Sequence, residues 1–242
     1  GTGSLVTGSA TVAAGVTADT ATGGAITLSA NEVSKDGATA LTVTFGTASG
    51  ATTSNTQGLL AATTDGVGAA GEIRVTSGAA LRLGVLNTTD ADATTVSVVT
   101  TGGALTVASA SALDIDNVTL TGATGLTVAN TLGLGSLTAS VSGAGDLTVS
   151  NAITTADSVT GATGAVSLTT ANGNVVVDAA VTTGNSSTAD GTSAQAGAIT
   201  VTAGTAGNLS GTGSPATGSA TVAAVAWRTR PRAGTLRCRR MK

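Results

Sequence analysis

Residues 103–151 read GALTVASASALDIDNVTLTGATGLTVANTLGLGSLTASVSGAGDLTVSN. Within them Leu105-Thr-Val107, Leu126-Thr-Val128 and Leu147-Thr-Val149 recur at 21-residue steps, and Leu168 falls one step further on. Ser109, Asn130, Asn151 and Asn172 keep the same step. So do Gly122-Ala123, Gly143-Ala144 and Gly164-Ala165, and Leu120 with Val141. Leu-Thr-Val puts two aliphatic side chains on one face and a hydroxyl on the other, the period-two alternation of a half-buried strand. A repeat of two or three such strands and Gly corners is too short to bury its own apolar face. Stacked on copies of itself it can do so, each coil lying about 4.8 Å from the next. The spacing therefore predicts an all-β, right-handed parallel β-helix (a β-solenoid) with coils of about 21 residues. Roughly eleven coils would make a rod about 50 Å long.

The pattern extends outward from this centre. Ala25-Ile-Thr-Leu28, Leu41-Thr-Val-Thr44, Glu72-Ile-Arg-Val75, Val166-Ser-Leu168 and Ile199-Thr-Val201 alternate in the same way. Gly23-Gly24, Gly102-Gly103, Gly143-Ala-Gly145 and Gly184-Asn185 separate the runs, and Gly and Asn suit tight corners. Helical charge pairs and heptads are missing. Hydrophobic residues are 41% of the chain, yet Phe45 and Trp227 are its only aromatics. Small aliphatics can stack inside a narrow coil where rings would crowd. Asn130, Asn151 and Asn172 are expected to form an amide ladder at one corner, as amides do in cross-β stacks.

A longer repeat lies above the short one. Residues 1–14, GTGSLVTGSATVAA, return as residues 211–224, GTGSPATGSATVAA, with twelve of fourteen positions the same. Residues 1–224 are accordingly expected to be a repeat region, a fragment of a tandem array of units about 210 residues long. Residues 225–242 form a basic tail, expected to be disordered or frameshifted. With GC-rich codons, Val225–Gly234 read in another frame gives a close copy of Gly15–Gly24. The rival reading of the tail is a basic anchor.

Charge and composition narrow the function. Residues 1–226 hold all thirteen acids and only Lys35, Arg74 and Arg82, a net −10, whereas the tail carries seven cations. An acidic body repels nucleic acid. Histidine is absent, and Cys238 in the tail is the only cysteine. The body therefore lacks the commonest acid–base catalyst, a thiol nucleophile and a disulfide framework. Asp90-Ala-Asp92 and Asp114-Ile-Asp116 pair carboxylates at i,i+2, as some polysaccharide-cleaving β-helices do. They lack His, Tyr or basic partners, and read as solubilising charge. Gly143-Ala-Gly-Asp146 occurs once, too sparse for a calcium-binding solenoid. Gly66-Val-Gly68 lacks the lysine of a phosphate loop. Thr42–Thr44, Thr119–Thr121 and Thr200–Thr202 are Thr-x-Thr triplets of the kind that binds ice when present in consecutive coils. These three stand several coils apart in the sequence. No run of 18 apolar residues occurs, so no membrane-inserting helix is expected. No catalytic, cofactor-binding or metal-binding residue is assigned.

The units Gly-Ala-Leu-Thr-Val, Gly-Leu-Thr-Val-Ala-Asn and Gly-Asp-Leu-Thr-Val-Ser-Asn resemble the repeat regions of filamentous-haemagglutinin-like exoproteins. They are also similar to autotransporter passengers and other giant bacterial β-strand-repeat adhesins. The resemblance spans about residues 20–224 and is one of texture and period. It implies export, display at the bacterial cell surface, and a structural stalk or adhesin that meets a host-cell or matrix surface. A polysaccharide-acting enzyme and an ice- or glycan-binding module are the alternatives. Exposed strand ends are expected to support self-association. Residues 1–224 should give a strong β-type far-UV circular dichroism spectrum and a cooperative melt independent of protein concentration. A coil spectrum, or β signal that grows only with aggregation, would rule out an autonomous solenoid.

Overall fold

The computed structural model describes residues 4–11, 20–30, 32–34, 39–45, 48–49, 54–56, 58–64, 72–88, 95–109, 111–159, 163–188 and 194–222. Every element among them is a β-strand, and every strand pairing is parallel. The chain winds as a parallel β-helix with three principal faces.

The first face runs through eight levels. They are Leu5–Val6, Leu41–Thr44, Ile73–Ser77, Thr95–Thr100, the latter part of Ser111–Gly122, the latter part of Leu132–Val141, Val166–Thr170 and Ile199–Thr202. Seven steps at the usual strand spacing make a stack roughly 34 Å long. The eleven coils expected from a uniform short unit are thus too many. The 21-residue step holds at the centre, where Leu105 pairs with Leu126 and Leu126 with Leu147. It lengthens beyond Leu147, which pairs with Val175, and again beyond Val175, which pairs with Leu209. The residues just before these strands give the new steps: Asp146 and Asn174 are 28 residues apart, and Asn174 and Asn208 are 34 residues apart. Toward the other end the steps are long as well, from Ile26 to Leu60 and from Leu5 to Val43.

The extra residues sit at corners. Eight more residues separate Thr155 from Val166 than separate Leu134 from Leu137 one coil earlier. Among the first coils the excess carries short outer strands, with Ala10–Thr11 on Ala48–Ser49 and Thr20–Thr22 on Ser54–Thr56. Loop residues at a corner cost little closure entropy and leave the ladder intact. Coils of different length can therefore share one core.

That core is a set of inward ladders. On the second face Leu81, Leu105, Leu126, Leu147 and Val175 stand in line, all at most 1% exposed. On the first face Val75, Val98, Leu120, Ala139 and Leu168 do the same. Leu168 thus belongs with Ala139 and Val201 and does not continue the Leu105–Leu147 series. Likewise Leu120 stacks on Ala139, and Val141 on Gly122. The step there is 19 residues, as between Thr121 and Ser140. Phe45 is buried among the wider first coils.

Glycine is dictated at corners where coils touch backbone to backbone. A Cβ on Gly145 would lie 1.7 Å from the Thr124 carbonyl oxygen, one on Gly173 2.0 Å from that of Gly145, and one on Gly207 1.9 Å from that of Gly173. Gly211 adds a φ of +128°, which L side chains rarely adopt.

Leu126 is 1% exposed between two leucines, whereas Thr127 points outward. Leu126→Ala should lower unfolding free energy by about 2–5 kcal/mol. Thr127→Ala should change it by no more than about 0.5 kcal/mol. Equal midpoints for the two variants in urea would contradict the inward assignment.

Candidate functional site: the outer first face and its corners

The outer side of the first face is a regular array. Its strands alternate inward aliphatic and outward polar residues, so one row of outward side chains runs along the stack for every second residue. One row is Ser97, Thr119, Thr138, Ser167 and Thr200; the next is Val99, Thr121, Ser140, Thr169 and Thr202. Neighbours within a row are about 4.8 Å apart and the rows about 6.7 Å apart. These positions are half-buried or exposed, and none is charged. Thr121 Oγ1 and Ser140 Oγ lie 3.1 Å apart, and Ser136 Oγ donates to Asn117 Oδ1 at 2.6 Å. The first row meets Arg74 beside Ser97, and the Arg74 Nε and Nη2 donate to the two carboxylate oxygens of Glu72 at 2.6 and 2.8 Å. The Glu72 carboxylate holds the guanidinium pKa above its usual value.

The triplets Thr119–Thr121 and Thr200–Thr202 lie three coil steps apart on this face. They are far apart in sequence, but four consecutive coils present hydroxyl-x-hydroxyl pairs: Thr119/Thr121, Thr138/Ser140, Ser167/Thr169 and Thr200/Thr202. Serine substitutes for threonine in the middle two, and unequal coil lengths hide the alignment.

The corner ladder likewise differs from expectation. Asn130 and Asn151 occupy equivalent places one coil apart, and each donates its Nδ2 to a carbonyl of the preceding coil: Ala108 O at 3.5 Å and Ala129 O at 2.8 Å. Asn172 does not join them. Because the next coil is longer, the position above Asn151 falls to Ala179, and Asn172 lies exposed just after Val166–Thr170. A different polar ladder stands at the head of the second face. Asp146 Oδ1 accepts from the Asn174 backbone N–H at 2.7 Å and from Asn174 Nδ2 at 3.0 Å, and Asn174 Oδ1 accepts from Asn208 N–H at 2.8 Å. A parallel set runs from Asp157 through Asn185 to Ser219, with distances of 2.6 and 2.9 Å. The available signal was a polar residue directly before an aliphatic one, as in Asp146-Leu147, Asn174-Val175 and Asn208-Leu209. It becomes readable only once the coil lengths are known.

Inside the corners, buried threonines join successive coils. Thr170 Oγ1 donates to Gly173 O at 2.5 Å and accepts from Gly204 N–H at 2.9 Å. Thr100 bridges Gly103 O and Ala123 N–H, and Thr155 bridges Gly164 O and Gly184 N–H. Thr163 and Thr183 continue the series through Gly184, Gly197 and Gly218. At Thr155, Thr163 and Thr183 one hydroxyl serves two backbone groups that an apolar side chain would leave unpaired, whereas beside Thr100 and Thr170 the amide also donates directly to the same carbonyl, at 3.0 and 3.1 Å.

Asp90 and Asp92 lie outside the described residues, as do Gly66–Gly68 and the tail 225–242; of Asp114 and Asp116 only the strand backbone is described. Among the described residues no three His, Cys, Asp or Glu side chains converge on a metal-sized site. Also among them, no helix is long and apolar enough to cross a membrane.

Thr155→Val keeps the shape of the side chain but removes its hydroxyl from a site that is 2% exposed. It should cost about 1–3 kcal/mol through the unpaired Gly184 N–H and Gly164 carbonyl. The same change at outward Thr148 should be near neutral. Hydrogen exchange at Gly184 should accelerate in the first variant only; unchanged exchange there would count against the bridge.

No known protein family, characterised protein or solved structure matches the chain.

Proposed function

We propose that this chain is a structural stalk or adhesin segment of a large secreted bacterial surface protein, and that it is not an enzyme. The observation that carries the reading is the uninterrupted parallel ladder with eight levels on its first face. A stack of coils gains length with each added coil, and length is what a projecting stalk requires. The 210-residue sequence repeat and the resemblance to surface-exposed repeat proteins support the same role. The chemistry of the chain agrees with a non-catalytic role: it has no histidine, and Asp146, Asp157 and Asp178 each accept a backbone N–H of the following coil. The partner in this reading is a host-cell or matrix surface, and the location is extracellular. Antibodies raised against residues 4–222 should label intact producing cells, and beads coated with the chain should adhere to cultured host cells or matrix more than bare beads. Labelling only after permeabilisation, with adhesion no greater than that of bare beads, would sink the proposal.

The hydroxyl rows favour a second reading, a face that adsorbs to a neutral, repeating, hydrogen-bonding surface such as insoluble polysaccharide or ice. Thr138→Glu with Thr200→Glu, at exposed positions two coils apart, places charge in the array. Adsorption should be lost while the melting temperature is unchanged; full adsorption by this variant would remove the face from consideration.

A further inference from the structure

The two copies of the repeated segment are held by opposite edges. In the first copy, Leu5–Val6 and Ala10–Thr11 pair with residues further along the chain, Val43–Thr44 and Ala48–Ser49. In the second, Pro215–Ala216 and Ala220–Val222 pair with residues earlier in the chain, Val181–Thr182 and Ser186–Thr188. In the sequence repeat, Leu5, Val6, Ala10 and Thr11 correspond to Pro215, Ala216, Ala220 and Thr221. The same short strands therefore use one edge at one end of the rod and the other edge at the other end.

Two further observations bear on what meets those edges. The coil contour is 34 residues where the rod ends, as from Asp178 to Thr212. Val181 and Pro215 keep that span, Ile26 and Leu60 repeat it where the rod begins, and Leu5 to Val43 is slightly longer. The narrow coils are confined to the middle, so the wide ends match each other in girth. Both ends also leave inward-facing apolar side chains uncovered: Leu5, in register with buried Val43, is 38% exposed, and Leu209, in register with buried Val175, is 59% exposed. A recess of about 250 Å³ opens beside Leu209, lined by Val177, Val201, Ser210, Gly211 and Pro215 among others.

We propose that the partner at each end of this chain is a second copy of the same unit. The two join as one continuous β-helix in which residues 4–11 of a unit and the equivalent residues 214–221 of the unit before it are the same stretch of a single shared coil. The proposal rests on the rod reading above and deepens it. The shared strands take their lower neighbours from Val181–Thr182 and Ser186–Thr188 and their upper neighbours from Val43–Thr44 and Ala48–Ser49, so no linker intervenes and no edge is left open. The segment closes the third face of one unit, the face of Ile153–Thr155 and Val181–Thr182, and opens the first face of the next. Successive units are thus turned about the rod axis, and their hydroxyl arrays point in different directions.

The test is a two-unit chain, residues 1–210 fused directly to the full 242-residue chain, with Cys238→Ser. Register partners on neighbouring strands are about 4.8 Å apart, within disulfide reach. A single Val6→Cys in the second unit should form a disulfide with Thr182→Cys of the first unit. In a separate variant it should form one with Thr44→Cys of the second unit. Each is read as a reductant-reversible shift in gel mobility. Two pairs in the single chain, Thr182→Cys with Ala216→Cys and Val6→Cys with Thr44→Cys, are the controls. If the controls close and either junction pair does not, the shared coil is wrong and the rod still stands. If the controls fail, the rod and the junction fall together.

Discussion

Everything in this fold depends on the hydrogen-bonded contact between one coil and the next. A coil has no interior of its own. Its three short strands enclose a space that becomes a core only when coils above and below supply more side chains. Ladders such as Leu105–Leu126–Leu147 come from this requirement. Each inward residue is buried by its own counterparts, so a small aliphatic repeated in register does what aromatic residues do in a globular core. The parallel arrangement also puts like against like on the outside, which is why hydroxyls gather in rows.

Corners make the stacking strict. At Gly145, Gly173 and Gly207 the backbone of one coil lies against a carbonyl of the coil before, leaving no room for a Cβ. Buried threonines then use single hydroxyls to join a carbonyl and an amide where the chain turns. Asp146–Asn174–Asn208 and Asp157–Asn185–Ser219 do similar work at the surface, where water would otherwise compete for the amides. In this region the body's acidity is partly structural, since three carboxylates accept backbone N–H groups between coils.

A stack that needs neighbours is incomplete at its ends, and the uncovered inward side chains of Leu5 and Leu209 express that incompleteness. Closing the ends with further coils of the same contour extends the rod while keeping one uninterrupted core. The coils widen toward the ends with the excess placed at corners, which gives the rod a varying girth without interrupting its ladder. The hydroxyl face lies where first-face strands are long enough to carry two outward rows.

The sequence by itself determined the strand alternation, the parallel β-helix, the 21-residue step of Leu105, Leu126 and Leu147, and the 210-residue repeat. These are local or strictly periodic, and period-two burial leaves a mark on every strand. Tertiary structure alone decided which residues stand above one another. Extending the short step unchanged placed Asn172 over Asn151, whereas a longer corner puts Ala179 there. Counting along the chain set Thr119–Thr121 far from Thr200–Thr202, whereas three coil steps join them through Thr138/Ser140 and Ser167/Thr169. The physical reason is the same in both cases. A parallel ladder fixes strand register tightly through its core, while a corner accepts extra residues at little cost. Register is thus conserved in space while the count of residues between partners is free to change.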